Sequence, residues 1–168
     1  MEIVTIVLRI VHIFSGVAWA GTAWALVLFL EPTARALGPD GGKFLGYMIS
    51  VRRFHIYMSV VGGLTVLAGW ILFFMRYGIA GLSLPTGVAF AIGGVLGLIA
   101  LGIGGGITGP SSVRLVTLGG ELAKAGKPPG PEQAAQMAAL QARLRTAGLW
   151  TAILTALAVL MMATARYI

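Results

Sequence analysis

Residues 8–32 read LRIVHIFSGVAWAGTAWALVLFLEP, and how this stretch is read decides the fold. From 10 to 30 it contains no Asp, Glu, Lys or Arg, which is enough for the roughly 20 apolar residues that carry a helix across a bilayer. Yet Arg9 stands at its head and His12 lies inside it. Arg9, His12, Gly16, Trp19 and Ala23 recur at helical spacing and share one face. An ionisable side chain within a span is costly and normally turns to the bundle interior or to a cavity. That stripe is therefore the first place to look for function.

Three further stretches lack those four charged residues: 54–75, 77–113 and 146–165. The chain of 168 residues is 58% hydrophobic and only 10% charged, whereas a soluble domain has about 25% charged residues. The expectation is all-α: an integral membrane four-helix bundle forming a single domain over 1–168. Its spans are read at about 3–30, 54–76, 85–113 and 146–166. Amphipathic segments at about 41–53 and 131–145 are expected on the cytoplasmic side. Pro32, Pro39 and the paired glycines of EPTARALGPDGG should stop the first helix near Leu30. Arg9, the apolar run and AWAG mimic a signal peptide, but the run continues past that point to Leu30, which favours a retained helix.

The net charge of +7 is not a nucleic-acid signal once its distribution is read. Arg35, Lys43, Arg52, Arg53, Arg114, Lys124, Lys127, Arg143 and Arg145 all fall in the two segments 31–53 and 114–145. Lys and Arg accumulate in cytoplasmic loops, so both termini are expected on the outer side of the cell (inner) membrane in a multi-pass arrangement. Anionic lipid is the natural partner for that charge, with no nucleic acid. Having no cysteine, the chain has no disulfide, thiolate or iron–sulfur site. Glycine, 25 residues, is roughly twice as frequent as usual. It crowds into AIGGVLGLIALGIGGGITG, where small residues let helices approach in lipid or leave room for a flat cofactor.

His12 admits two accounts. It is a neutral imidazole bonded to a neighbouring helix, or it is an axial haem ligand or metal ligand. The second also employs Gly16, one turn below, as clearance for a porphyrin face, Trp19 as a packing edge, and Arg9 as a partner for a propionate. Met162 on the last helix offers a thioether for the opposite side of the iron, and Arg166 a second cation. His55 is a further metal candidate, but helix rise sets it roughly 16 Å from His12 along the bundle axis. One iron shared by both needs nitrogens about 4 Å apart. All five acids, Glu2, Glu31, Asp40, Glu121 and Glu132, lie outside the spans. No nucleophile elbow or metalloprotease motif occurs, so the chain is not expected to be an enzyme on its own.

RIVHIFSGVAWAGTAW, residues 9–24, with its first-helix histidine followed by Trp19-Ala20-Gly21, resembles the copper-resistance-D-like membrane proteins and their small uncharacterised relatives. It is also similar to the opening of the membrane protoporphyrinogen oxidases of the HemJ type. The ending MMATARYI resembles that of the small members. The resemblance implies that His12 is a haem or copper ligand. No lysine stands inside a span, as the oxidase type would have, and the methionine- and histidine-rich pattern of a copper path is sparse. The expected function is a haem b-binding membrane protein serving electron transfer or haem handling. Its alternatives are a non-catalytic structural subunit of a larger membrane complex, or a homo-oligomer of that kind, and a copper transport or resistance protein.

Overall fold

The computed structural model describes residues 2–126 and 128–168; Lys127, counted above with the basic segments, lies outside them. Helix α1 (Glu2–Ala25) runs through a π-helical turn (Leu26–Leu30) into α2 (Glu31–Ala36). After Gly38 come α3 (Pro39–Ser50) and α4 (Phe54–Arg76). A 3-10 turn (Ile79–Ser83) leads to α5 (Pro85–Ile103), which passes through a second π-helical turn (Gly104–Thr108) into α6 (Gly109–Ala125). The chain closes with α7 (Pro131–Thr164) and a 3-10 turn (Ala165–Tyr167). No strand occurs among the described residues.

Four rods are long and apolar enough to cross a membrane: Glu2–Ala36, Phe54–Arg76, Pro85–Ala125 and Pro131–Tyr167. The chain is a multi-pass membrane helical bundle. Helix α1 packs chiefly on α4 and α5 chiefly on α7; α4 against α5 joins the two pairs, and α1 against α7 completes the ring. Its core is made of small residues. Ala20, Ala23, Ala68, Ala89, Ala100, Ala147 and Ala158 are buried, with Ser15, Thr151 and Thr155, while Phe14, Val17, Leu67 and Leu160 point outward. Small residues at the seams and large aliphatics outside are what lipid selects, because hydrocarbon gives no hydrophobic drive to pack large side chains together. The buried hydroxyls of Thr151 and Thr155 donate back to Ala147 O and Thr151 O at 2.9 Å.

The first rod departs from expectation at Pro32. The helix does not stop there; it runs on to Ala36 and ends at Leu37 and Gly38, whose φ is +57°. A proline lacks the N–H for the carbonyl four residues back, and its ring collides with that carbonyl. Here the preceding turn is widened, so that Glu31 N–H donates to Leu26 O, five residues back. The wider turn relieves the collision. Pro110 is accommodated in the same way: Gly109 N–H donates to Gly104 O, and the third rod continues through α6 to Ala125. The amphipathic segment expected at 41–53 forms α3, which ends three residues earlier. Arg53, with φ of 51°, turns the chain into α4, a left-handed conformation that costs a non-glycine residue about 1–2 kcal/mol. The amphipathic segment of 131–145 and the last span are one continuous helix.

Helix α3 packs on α6, and with the first half of α7 these helices gather the basic residues at one end of the bundle. Asp40 accepts a hydrogen bond from Lys43 Nζ at 2.8 Å, which holds its carboxyl below the usual carboxylate range. The pair is fully exposed, and such pairs add little to stability.

Candidate functional site

The stripe on α1 packs along α4 in an antiparallel ladder. Trp19 lies over Gly62, where an added Cβ would come within 3.0 Å of its ring. Gly16 lies beside Thr65, whose methyl would be 3.4 Å from a Cβ at Gly16. His12 lies over Gly69, where a Cβ would be 2.7 Å from Cε1 and 2.9 Å from Nδ1 of the imidazole. Gly62 and Gly69 are spaced by two helical turns, and they let α1 settle onto bare backbone at two places. Thr22 Oγ1 and Tyr57 Oη, 3.4 Å apart, extend the ladder towards the basic end.

A polar cluster sits inside this apolar seam. His12 Nδ1 is 2.8 Å from Thr65 O. A carbonyl only accepts, so Nδ1 carries the hydrogen and the ring is held as the Nδ1–H tautomer. The carbonyl has a second lone pair, so the bond is made without breaking α4. Thr65 Oγ1 lies 2.7 Å from Val61 O and 2.9 Å from Ser15 Oγ, and its one hydrogen serves both. Ser15 Oγ in turn donates to Val11 O at 2.5 Å. The helix-bridging imidazole of the first account is thus present. Its Nε2 has no protein partner among the described residues, and it is the nitrogen with a free lone pair. A backbone carbonyl on Nδ1 is the arrangement that orients and fixes the tautomer of a metal-ligating histidine.

The remaining candidates are not gathered around His12. Arg9, one turn above it, is exposed. Gly16 opens no space for a flat ring, because Thr65 occupies its surface. Trp19 is buried against α4. Met162 packs into the seam between α5 and α7, its Cγ 3.0 Å from a Cβ at Gly93, while His12 is turned to α4. Arg166 is exposed at the chain end, bonded to the hydroxyl of Tyr167 and lying 4.7 Å over its ring. Among the described residues, neither Met162 nor His55 stands beside His12. What the donor set fits is a site with one histidine ligand.

His55 belongs elsewhere. It precedes Gly69, against which His12 rests, by fourteen residues on α4, about 21 Å at the rise of a helix. Its Nδ1 is buried without a partner, as is Thr108 Oγ1 in the second π-helical turn. Register relates the two. A Cβ at Gly62 would lie 3.1 Å from Leu101 Cδ1, and two turns further towards the basic end on each helix stand His55 and Thr108. No group of three or more His, Asp or Glu side chains converges among the described residues. Sequence reasoning passed over Thr65, Ser15 and Gly69 as partners of His12; small and hydroxylated residues at four-residue spacing on α4 were the available signal.

Compared with protein-family models, curated proteins and solved structures, the chain matches none of them.

If Gly69 is the floor of the seam, Gly69→Val should displace His12 and destabilise the bundle by about 1–3 kcal/mol, the usual cost of overpacking. Gly63→Val, one helix position off the seam with nothing within 4 Å of an added Cβ, should change stability little. Thermal unfolding of both variants in one detergent checks this; equal melting shifts would contradict the seam.

Proposed function

We propose that this chain is a haem b-binding membrane protein that serves electron transfer or haem handling, with His12 as its protein ligand to iron. One observation carries the reading: the Nδ1–H of His12 is tied to Thr65 O at 2.8 Å, which leaves Nε2 as the ligating nitrogen in a set orientation. Haem would supply one-electron exchange between ferrous and ferric iron. Thr65 orients the ring and keeps its proton on Nδ1, and Gly69 allows the ring to lie against α4. Arg9, on the same stripe, is the cation placed to meet a propionate. Met162 is occupied in the α5–α7 seam, so His12 would be the side chain of this chain that holds the iron.

A structural subunit of a larger membrane complex is the second reading, and one observation favours it. Added Cβ atoms at Gly102, Gly104, Gly105 and Gly106 would meet nothing within 4 Å, so the glycine-rich end of α5 and its π-helical turn offer a smooth surface to another helix. Copper transport is left without a converging ligand set among the described residues. The two readings separate by colour. On the haem reading, the purified protein shows a Soret band that His12→Ala abolishes and His55→Ala leaves intact, while both variants remain inserted. A colourless protein that takes up no added haemin would overturn the reading and favour the subunit.

The same charge pattern gives orientation. We propose that both termini face the outer side of the inner membrane, because the basic residues gather at the opposite end of the bundle. In oriented vesicles, Ile79→Cys should react with an impermeant thiol reagent from the outer side and Ala125→Cys from the cytoplasmic side. The reverse pattern would invert the topology.

A further inference from the structure

At the basic end of the bundle, where the first and last rods meet, the structure holds a cavity of about 470 Å³. The first π-helical turn and α7 touch beneath it, with Val27 Cγ2 3.6 Å from a Cβ at Gly148. Val27 and Leu149 line its lower part, and Glu31, Arg35 and Arg145 line the part nearest the basic end. Arg35 Nη2 is paired with Glu31 Oε1 at 2.7 Å, one helical turn away. Arg145 has no ion pair among the described residues. The cavity wall therefore carries two guanidinium groups against one carboxylate, and Leu28, Phe29 and Trp150, at the same depth on the two helices, are exposed.

We propose that this cavity is a binding site for one anionic glycerophospholipid. Three features select that ligand. The unpaired guanidinium of Arg145, beside that of Arg35, matches a phosphodiester, which arginine recognises by paired hydrogen bonds. Val27 and Leu149 continue the site as an apolar track for the first methylenes of an acyl chain. The position, at the end of two membrane-spanning rods, is the depth of a headgroup, and basic pockets between such helices are where anionic heads bind. Glu31 tunes the site: by engaging Arg35 it offsets one positive charge and leaves Arg145 as the principal anchor. The widened turn at Leu26–Leu30 makes the site possible, since it carries the helix through Pro32 and so brings Glu31 and Arg35 up the wall facing α7.

Native mass spectrometry of the full chain, titrated with phosphatidylglycerol or phosphatidylcholine, tests the site. Wild type should retain one phosphatidylglycerol at least about tenfold more tightly than phosphatidylcholine, a difference of about 1.4 kcal/mol. Arg145→Gln should remove that preference, Arg145→Lys should restore part of it, and Arg143→Gln, the same charge change outside the cavity, should leave it intact. Leu149→Trp, which fills the floor from a half-exposed position, should also lower retention, so the proposal stays testable if Arg145→Gln fails to fold. Equal loss in Arg143→Gln and Arg145→Gln would mean diffuse surface charge and would overturn the site. So would equal retention of both lipids by wild type. Competition by glycerol phosphate at concentrations comparable with the lipid would show that a free phosphate ester suffices, and would overturn the lipid assignment.

Discussion

Hydrocarbon gives two helices no hydrophobic reason to stay together, so how closely their backbones approach governs what holds this bundle. Between α1 and α4 the approach is set by Gly62 and Gly69, against which Trp19 and His12 rest. With the backbones this near, a side chain on α1 reaches a main-chain carbonyl on α4, and His12 Nδ1–H meets Thr65 O. Interhelical bonds of this kind in membranes contribute about 0.6 kcal/mol on average. The energy is modest. Its larger effect is to fix the rotation of α1 on α4 and the tautomer of the one imidazole in that seam.

The other seams follow the same logic with different side chains. Trp70 lies over Gly94 and Val66 beside Gly97 between α4 and α5, while Met162 fills the surface of Gly93 between α5 and α7. Trp24 Nε1 donates to Ala152 O at 3.1 Å, a second bond from an α1 side chain to a neighbouring backbone. The second and third rods thus each offer glycines to large side chains opposite. The apolar bulk is left to lipid, and function is restricted to the few polar atoms that the seams retain.

The four spans were legible because runs without charge admit one reading at this length. The inner boundaries were not, and two prolines show why. Pro32 is read from sequence as a stop, yet it sits behind a π-helical turn that absorbs it, as Pro110 does on the third rod. A widened turn leaves no mark in composition, so a helix that passes through proline is not distinguished from one that ends there. His12 was legible as the singular residue of α1, because charge and imidazole are rare in such a stretch. Its partner was not legible. The choice between Thr65 O, a side chain of α7 and a cofactor depends on the rotation of α1, and periodicity fixes a face without naming the helix it meets. Met162 shares the depth expected of it but lies in the α5–α7 seam while His12 is turned to α4, for the same reason: depth is readable from helix rise, azimuth is not.

The account rests on the proton of His12, since the seam and the haem reading both require it on Nδ1. Nitrogen-15 NMR of histidine-labelled, haem-free protein in lipid measures it directly at pH values where the ring is neutral. The account predicts that His12 Nδ1 is protonated and Nε2 bears the lone pair, with the Nδ1 proton close to the Thr65 carbonyl carbon. A proton on Nε2, with Nδ1 unprotonated, would contradict the bond to Thr65 and with it the orientation of His12.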